Sequence, residues 1–417
     1  MLFLYSIAIR FYFLGVLFAW PFRKKVRLWI KGRREWKRRQ KTAFSPGDRV
    51  VWFHCASLGE FEQGRPLMES FRKEFPEYKI LLTFFSSSGY EIRRQFTGAD
   101  VVGYIPADTP LRARRFLEYV NPVLAVFIKY EFWLNHLREI HRRKIPLLLV
   151  SGIFRPDQIF FKSYGMIFWK GLRAFHHFYV QTEESVRLLH AIGYENVTLS
   201  GDTRFDRVAA VALNPLPLPE VALFCGESKV LIGGSLWPPD EEVLDTLISK
   251  AIPGLKFILA PHEVSREHAG KLLRKYGSRA TTYSAWKIQP KGDPDVMILD
   301  TVGILAYVYR FGHYAYIGGG FGAGIHNILE AAVFGIPLFF GPNYRKFREA
   351  ADLKKTGGAF PVRSADDFMF QWMQQWENAE TSHRTGEVCH HYVSRNLGAT
   401  SMIMRGIKEV LHKSNEG

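Results

Sequence analysis

Cysteine is scarce. The 417 residues contain three, Cys55, Cys225 and Cys389. They are odd in number, far apart and form no CxxC pair, so neither a disulfide framework nor a cysteine zinc site is supported, and a reducing compartment is the expectation. The phosphate loop GxxxxGK(S/T) is missing. His262-Glu263 to His268 is spaced six rather than four, so it is not the zinc-binding HExxH. No cluster of carboxylates and histidines argues for a metal. Acidic residues are also few, 40 against 56 Lys and Arg, which leaves a net charge of +16. Through Lys41 the chain carries twelve Lys and Arg against the single acid Glu35, so +11 of that charge belongs to one short segment. A nucleic-acid binder spreads its basic side chains along a groove with aromatic platforms. Here the basicity is a tail, and no nucleic-acid partner is expected.

With 47% hydrophobic and 23% charged residues, the composition excludes disorder, collagen and coiled coil, and the length suits two or three domains. Met1 to Phe22 is apolar except for Ser6 and Arg10 and runs into the basic stretch from Arg23 to Lys41. A signal peptide has the reverse charge order and a small-residue cleavage site, so a retained N-terminal membrane anchor with a basic collar is expected, placed on the cytoplasmic face against an anionic membrane surface. Arg10 near the middle sets shallow insertion in competition with spanning. The bland alternative is a first helix packed on the protein's own core.

Beyond the collar, short β-branched runs alternate with helical stretches. The expected strands are Arg49 to His54, Lys79 to Phe85, Val101 to Ile105, Val123 to Ile128, Pro146 to Ser151, Phe178 to Gln181 and Val197 to Ser200. Uninterrupted apolar strands joined by helices predict a parallel sheet covered on both faces. Asn214-Pro-Leu-Pro-Leu-Pro219 reads as a linker, after which the pattern restarts at Lys229 to Ile232, Lys256 to Leu259, Val296 to Leu299, Tyr314 to Ile317 and Pro337 to Phe340. The expected fold is α/β: an anchor and collar over 1–41, a Rossmann-like domain over 42–213 and a second over 220–417, facing each other across a cleft. Ligands in such sheets bind beyond the carboxyl ends of the strands.

Four loops there can carry chemistry. His54-Cys-Ala-Ser-Leu-Gly-Glu60 places Glu60 beside a helix starting near Phe61, as a general base or merely a helix-capping charge. Lys129-Tyr-Glu131-Phe-Trp133-Leu-Asn135 reads equally as an ion pair over a packed Trp. Gly201-Asp-Thr-Arg204-Phe-Asp206 sets Arg204 between two acids, either near a ligand or in a salt bridge within the turn. Gly318-Gly-Gly-Phe-Gly-Ala-Gly-Ile-His326-Asn327 to Glu330 runs through a glycine-rich turn into a predicted helix whose first turns hold His326, Asn327 and Glu330. Glycines admit close backbone approach to a phosphate, and a carboxylate there suits ribose hydroxyls.

These residues resemble the 3-deoxy-D-manno-octulosonic acid (Kdo) transferases of lipopolysaccharide biosynthesis, which have the GT-B glycosyltransferase fold. The likeness runs through the apolar and basic N-terminus, His54-x-x-Ser-x-Gly-Glu60, Pro106-x-Asp108-x-Pro110, Glu131-x-Trp133-x-Asn135, Gly201 to Asp206, Gly318-Gly319 and His326-Asn-x-Leu-Glu330. It implies an inverting, metal-independent transfer of Kdo from CMP-Kdo, a substrate rather than a cofactor, to a lipid A precursor of the lipid IVA type. The second domain would then hold CMP-Kdo and the first the acceptor, at the bacterial inner membrane. In the resemblance Glu60 matches the general base, Arg204 a basic position, usually lysine, that stabilises the transition state, and Glu131 the motif acid. Nucleotide contacts carry over to Pro261 and His262, to the turn Val302-Gly303-Ile304, and to Asn327, Ile328, Leu329 and Glu330. The chain departs from the pattern at Lys129, where an acid is usual, at His262, where the family commonly has arginine, and at Ile304, often acidic. The rival readings are another GT-B enzyme using a UDP-sugar, as transferase or epimerase, and a catalytically inactive membrane-bound binding protein.

Overall fold

The computed structural model describes residues 2–18, 20–39 and 42–415, so four positions of the expected anchor and collar, 1, 19, 40 and 41, lie outside the described residues. The chain divides into two compact units. The first comprises the residues up to Asp206 together with those from Gly398 onward, and the second runs from Arg207 to Leu397.

The first unit is built on β1 (Val50–Cys55), β2 (Lys79–Phe84), β3 (Val101–Tyr104), β4 (Leu124–Ile128), β5 (Leu147–Gly152), β6 (His177–Val180) and β7 (Val197–Leu199). They form one seven-stranded parallel sheet in the order β3-β2-β1-β4-β5-β6-β7. Every residue of β1, β4 and β5 is buried, as expected of strands covered on both faces. The chain starts in the middle at β1 and winds outward in both directions, so β1 and β4 are adjacent without being consecutive. Their loops flank the switch point where such sheets bind ligands.

Helices α1 (Leu2–Phe18) and α2 (Lys24–Arg39) belong to this unit, which corrects the expectation of a separate anchor and collar. Leu2 and Tyr5 pack against the core, and the Tyr5 hydroxyl donates to Asp108 at 2.7 Å. In α2, Ile30 and Trp36 are buried, and the Trp29 indole donates to the Phe85 carbonyl at 2.7 Å. Two glycines let α2 press on the sheet edge: a Cβ at Gly32 would stand 2.6 Å from the Tyr104 ring, and one at Gly103 2.6 Å from Trp36. The opposite side of α1 exposes Phe3, Leu4, Phe11, Leu14 and Phe18. No helix among the described residues is long and apolar enough to cross a membrane.

The C-terminal helix, Ala399–Asn415, also returns to the first unit, so the expected 220–417 domain ends early. The reason is an apolar stripe: Ile403, Ile407 and Leu411, four residues apart, are buried in the first core. Asp206 fixes the entry by accepting from the backbone of Gly398 and Thr400 at 2.7 and 2.6 Å. At the other end, the division falls inside the helix Thr203–Leu213, ahead of the proline-rich stretch.

The second unit holds β8 (Lys229–Leu236), β9 (Leu255–Pro261), β10 (Ala280–Thr282), β11 (Val296–Ile298), β12 (Tyr314–Ile317), β13 (Leu338–Phe340) and β14 (Ala359–Pro361). They too form a seven-stranded parallel sheet, ordered β10-β11-β9-β8-β12-β13-β14, with its switch point at β8 and β12. The two strands that sequence reading missed, β10 and β14, are its edges. They are three residues each and partly exposed, too short for a period-2 pattern to register.

Candidate active site

In the first unit, β1 runs straight into α3 (Leu58–Glu74), so Glu60 lies in the first helical turn at the carboxyl end of β1. The Ser57 hydroxyl donates to the Glu60 carboxylate and orients it. One turn further along α3, the Gln63 amide donates to Asp202 at 3.2 Å, while the Thr203 hydroxyl donates to the Gln63 carbonyl. The turn carrying Arg204 is therefore seated on the start of the helix carrying Glu60. Asp202 accepts from the Arg204 backbone N–H and Nε, each at 2.9 Å, and its other contact, to the terminal guanidinium nitrogen, is 2.8 Å. Of the two readings of that turn, the internal salt bridge is formed. Burial opposes the charge on Asp202, but Arg204 and Gln63 outweigh it, and the carboxyl is held below its ordinary value.

Glu131 does not pair with Lys129. Immediately after β4, Lys129 turns with φ of 70°, which leads the chain back so that buried Glu131 meets His54 at 3.0 Å and accepts from the Trp133 indole at 2.6 Å. His54 is gripped from its other nitrogen by Thr83 at 2.9 Å. The motif at Asp108 is a joint of the fold: its carboxylate accepts from the backbone N–H of Asn135 and His136 at 3.0 and 2.9 Å and from Tyr5 of α1, and pairs with the His136 ring at 2.6 Å. Burial raises its pKa, but the partners, His136 first, hold it below the usual carboxylate range.

In the second unit the loops after β8, β9 and β12 meet. Trp237 stacks on His262 with ring centroids 4.5 Å apart, and His262 stacks on His326 at 4.4 Å. The Trp237 indole donates to His326 Nε2 at 3.2 Å. Burial, then the neighbouring His262, lowers the His326 pKa to about 4, so the ring is neutral and accepts that hydrogen bond. Asp240 pins the glycine turn to the β8 loop by accepting from the N–H of Trp237 and Gly319 at 2.9 and 2.8 Å. Sequence reading passed over Trp237 and Asp240; their signal was a position just after the first strand of the second sheet, at its switch point.

The glycine turn is tight. A Cβ at Gly318 would stand 2.3 Å from the Ser235 carbonyl oxygen, and Gly319 has φ of 92°. The helix after it is not the one expected: it spans only Leu329–Ala332, and His326 and Asn327 precede it. The Asn327 amide donates to Glu330 at 3.0 Å and its oxygen accepts from the Leu329 N–H at 3.3 Å. Ile328 and Leu329 are completely buried. Gly303, with φ of 92°, follows exposed Val302, and Ile304 opens the four-residue helix Leu305–Val308. Just beyond it, buried Tyr309 feels the charge of Glu330. Pro261 ends β9 and lines a cavity of about 410 Å³ with Trp237, His268, Lys271 and Arg274. Thus His262, next to Pro261, is joined to His326 by ring stacking. Among the described residues no group of three His, Cys, Asp or Glu is placed to hold a metal ion.

Two doubly wound parallel sheets, each with its polar loops at the switch point, define a fold of the GT-B type. It resembles UDP-GlcNAc 2-epimerase from Neisseria meningitidis bound to UDP-GlcNAc, at 15% identity and a TM-score of 0.61, covering 88% of this chain and all of that one. It also resembles a UDP-N-acetylglucosamine 2-epimerase from Listeria monocytogenes, at 12% identity and a TM-score of 0.57, covering 88% of this chain and 98% of that one. At such identities the likeness concerns the fold alone. In sequence, residues 31–207 match the family described as 3-Deoxy-D-manno-octulosonic-acid transferase (kdotransferase). The 3-deoxy-D-manno-octulosonic acid transferase of Aquifex aeolicus is 25% identical over 77% of this chain and 84% of its own, and that of Haemophilus influenzae 23% identical over 89% and 90%. The chain is thus similar in sequence to the Kdo transferases, by the family match over residues 31–207 and by relatives at 23–26% identity over most of its length.

Proposed function

We propose that this protein transfers Kdo from CMP-Kdo to a phosphorylated, acylated lipid A precursor, with inversion and without a metal, at the cytoplasmic face of a bacterial inner membrane. The observation that carries this reading is the seating of the Asp202–Arg204 turn on the helix of Glu60, at the switch point of the first sheet, in a chain similar in sequence to this family.

Transfer to a hydroxyl needs a base for the acceptor proton and positive charge for the departing phosphate. Glu60 serves as the base, oriented by Ser57. Arg204 supplies the charge, its planar group fixed by Asp202 so that little reorganisation is needed during the reaction. Glu131, held by His54 and Trp133, shapes the neighbouring loop. In the second unit Asn327 and Glu330 take the ribose, the glycine turn offers backbone N–H groups, and Pro261 with His262 borders the phosphate. His262, stacked between Trp237 and His326, takes the place of an arginine by position. The exposed apolar side of α1 lies against the membrane, with the basic residues of α2 near anionic headgroups.

The test is incubation of the purified full chain with CMP-Kdo and a tetra-acylated, bisphosphorylated disaccharide. Mass spectrometry should find the acceptor heavier by one or more Kdo units and free CMP released. Turnover of a UDP-sugar in place of CMP-Kdo would overturn the reading.

A further inference from the structure

The first unit contains a cavity of about 740 Å³ roofed by α1 and α2, beside the helix Pro110–Val120. Its walls are apolar, from Phe13 and Leu17 of α1 to Leu111 and Phe116. Its rim is cationic: Arg34, Lys37, Arg112 and Arg115 line it, all exposed, and no acidic residue does. At its inner end stands Arg33, whose guanidinium lies 4.0 Å over the Trp29 ring and 5.1 Å from that of Tyr104. Arg33 donates to the carbonyls of Ile105 and Phe85, and no carboxylate among the described residues pairs with it. Three polar atoms there are buried and lack any hydrogen-bond partner: Arg33 Nε, Trp36 Nε1 and the Tyr104 hydroxyl.

A cation without a counter-ion and three unsatisfied polar groups around one cavity are costly unless a ligand completes them. An anion answers the charge and accepts from the donors, while the apolar walls and open mouth call for hydrocarbon attached to it. The cavity is also connected to the proposed chemistry. Phe85, which accepts from Arg33 and Trp29, lies with its ring 4.7 Å from that of Trp133, and Trp133 donates to Glu131.

We propose that this cavity binds the acceptor itself, taking one phosphate against Arg33, Trp36 and Tyr104 and the root of an acyl chain along Phe13, Leu17 and Leu111. The inference rests on the transfer reading above and adds to it the place where the acceptor's phosphate and lipid are recognised. The cations that sequence reading set in a free collar are then, at Arg33, Arg34 and Lys37, part of a substrate site.

The test uses the full chain in neutral detergent, with the phosphorylated acylated disaccharide and its dephosphorylated counterpart. Wild type should prefer the phosphorylated form. Arg112→Glu with Arg115→Glu, both exposed and safe for folding, should raise the KM for it by roughly tenfold, the scale of a lost charge-assisted contact, while leaving the KM for CMP-Kdo unmoved. Leu111→Trp, which narrows the mouth, should raise the acceptor KM for both forms. Unchanged acceptor KM in all variants, with transfer intact, would overturn the inference. So would variants that lose only their binding to anionic phospholipid vesicles, since the cavity would then serve bulk lipid. If wild type transfers no Kdo, the functional reading fails, and direct titration of the disaccharide against indole fluorescence decides the cavity alone: weaker binding by the double variant supports it and equal binding refutes it.

Discussion

At the scale of single residues, the groups proposed to do chemistry differ from those that hold them in how they are themselves held. Glu60 is held by the neighbouring Ser57 hydroxyl, so Glu60→Gln should keep the fold and the KM for CMP-Kdo but lower turnover by about 10² to 10⁴, the usual contribution of a positioned base. Steady-state kinetics with a thermal-melt control check this. Arg204 differs because buried Asp202 depends on it. Arg204→Ala should destabilise the first unit by about 3 kcal/mol through the uncompensated carboxylate, which confounds any rate effect. Arg204→Lys keeps the charge and should retain far more turnover than the alanine variant at equal folded fraction. His326 should titrate by NMR near its folded value of about 4, and His262→Ala should raise that value by removing the neighbouring ring whose proximity lowers it. Because the folded value is depressed from an unfolded one of about 6.5, its contribution to stability is full above pH 6.5 and lost as the pH falls toward 4.

At the scale of elements, Asp108 ties α1, the helix Leu134–Arg142 and the loop after β3 into one joint. Tyr5→Phe removes one of its hydrogen bonds and should cost about 1 kcal/mol in urea unfolding, whereas Asp108→Ala strands buried His136 and should cost about 3 kcal/mol. Asp108 and Asp202 both have depressed folded pKa values, so their stabilisation is present above the unfolded carboxylate value, about 3.9, and disappears as the pH falls through the lower folded values. Urea midpoints measured between pH 5 and 2.5 should drop steeply for wild type and less steeply for Asp202→Asn. The glycine turn makes a comparable demand on backbone. Gly319→Ala combines a positive φ with a Cβ 2.5 Å from the Gly324 carbonyl oxygen, and calorimetry should find weakened CMP binding in a protein whose first unit melts unchanged.

At the scale of the whole molecule, the two termini are part of the first unit and not appendages. Deleting residues 2–22 should release most of the protein from vesicles in flotation assays and leave a fraction, bound through α2, that high salt removes. The deletion should also lower the melting temperature of the first unit, because Tyr5 and Ser6 leave Asp108 and Asn135 with fewer partners. A free anchor would leave that temperature unchanged.

Local pattern was enough for the doubly wound architecture, because buried parallel strands write continuous apolar runs and all seven expected strands of the first sheet, with five of the second, lie where those runs are. It was enough too to put Glu60 at the start of a helix that follows the first strand. Partnership was not legible. That Glu131 faces His54 and not Lys129, that Trp237 stacks on His262 and His262 on His326, and that no carboxylate among the described residues pairs with Arg33 are facts about side chains from strands and helices distant in sequence, fixed only when the sheets close their registers. The C-terminal helix, read as part of the second domain, and α1, read as an anchor, fall in the first unit for the same reason. An apolar stripe records that a surface will be buried, and only the tertiary structure decides whether protein or membrane buries it.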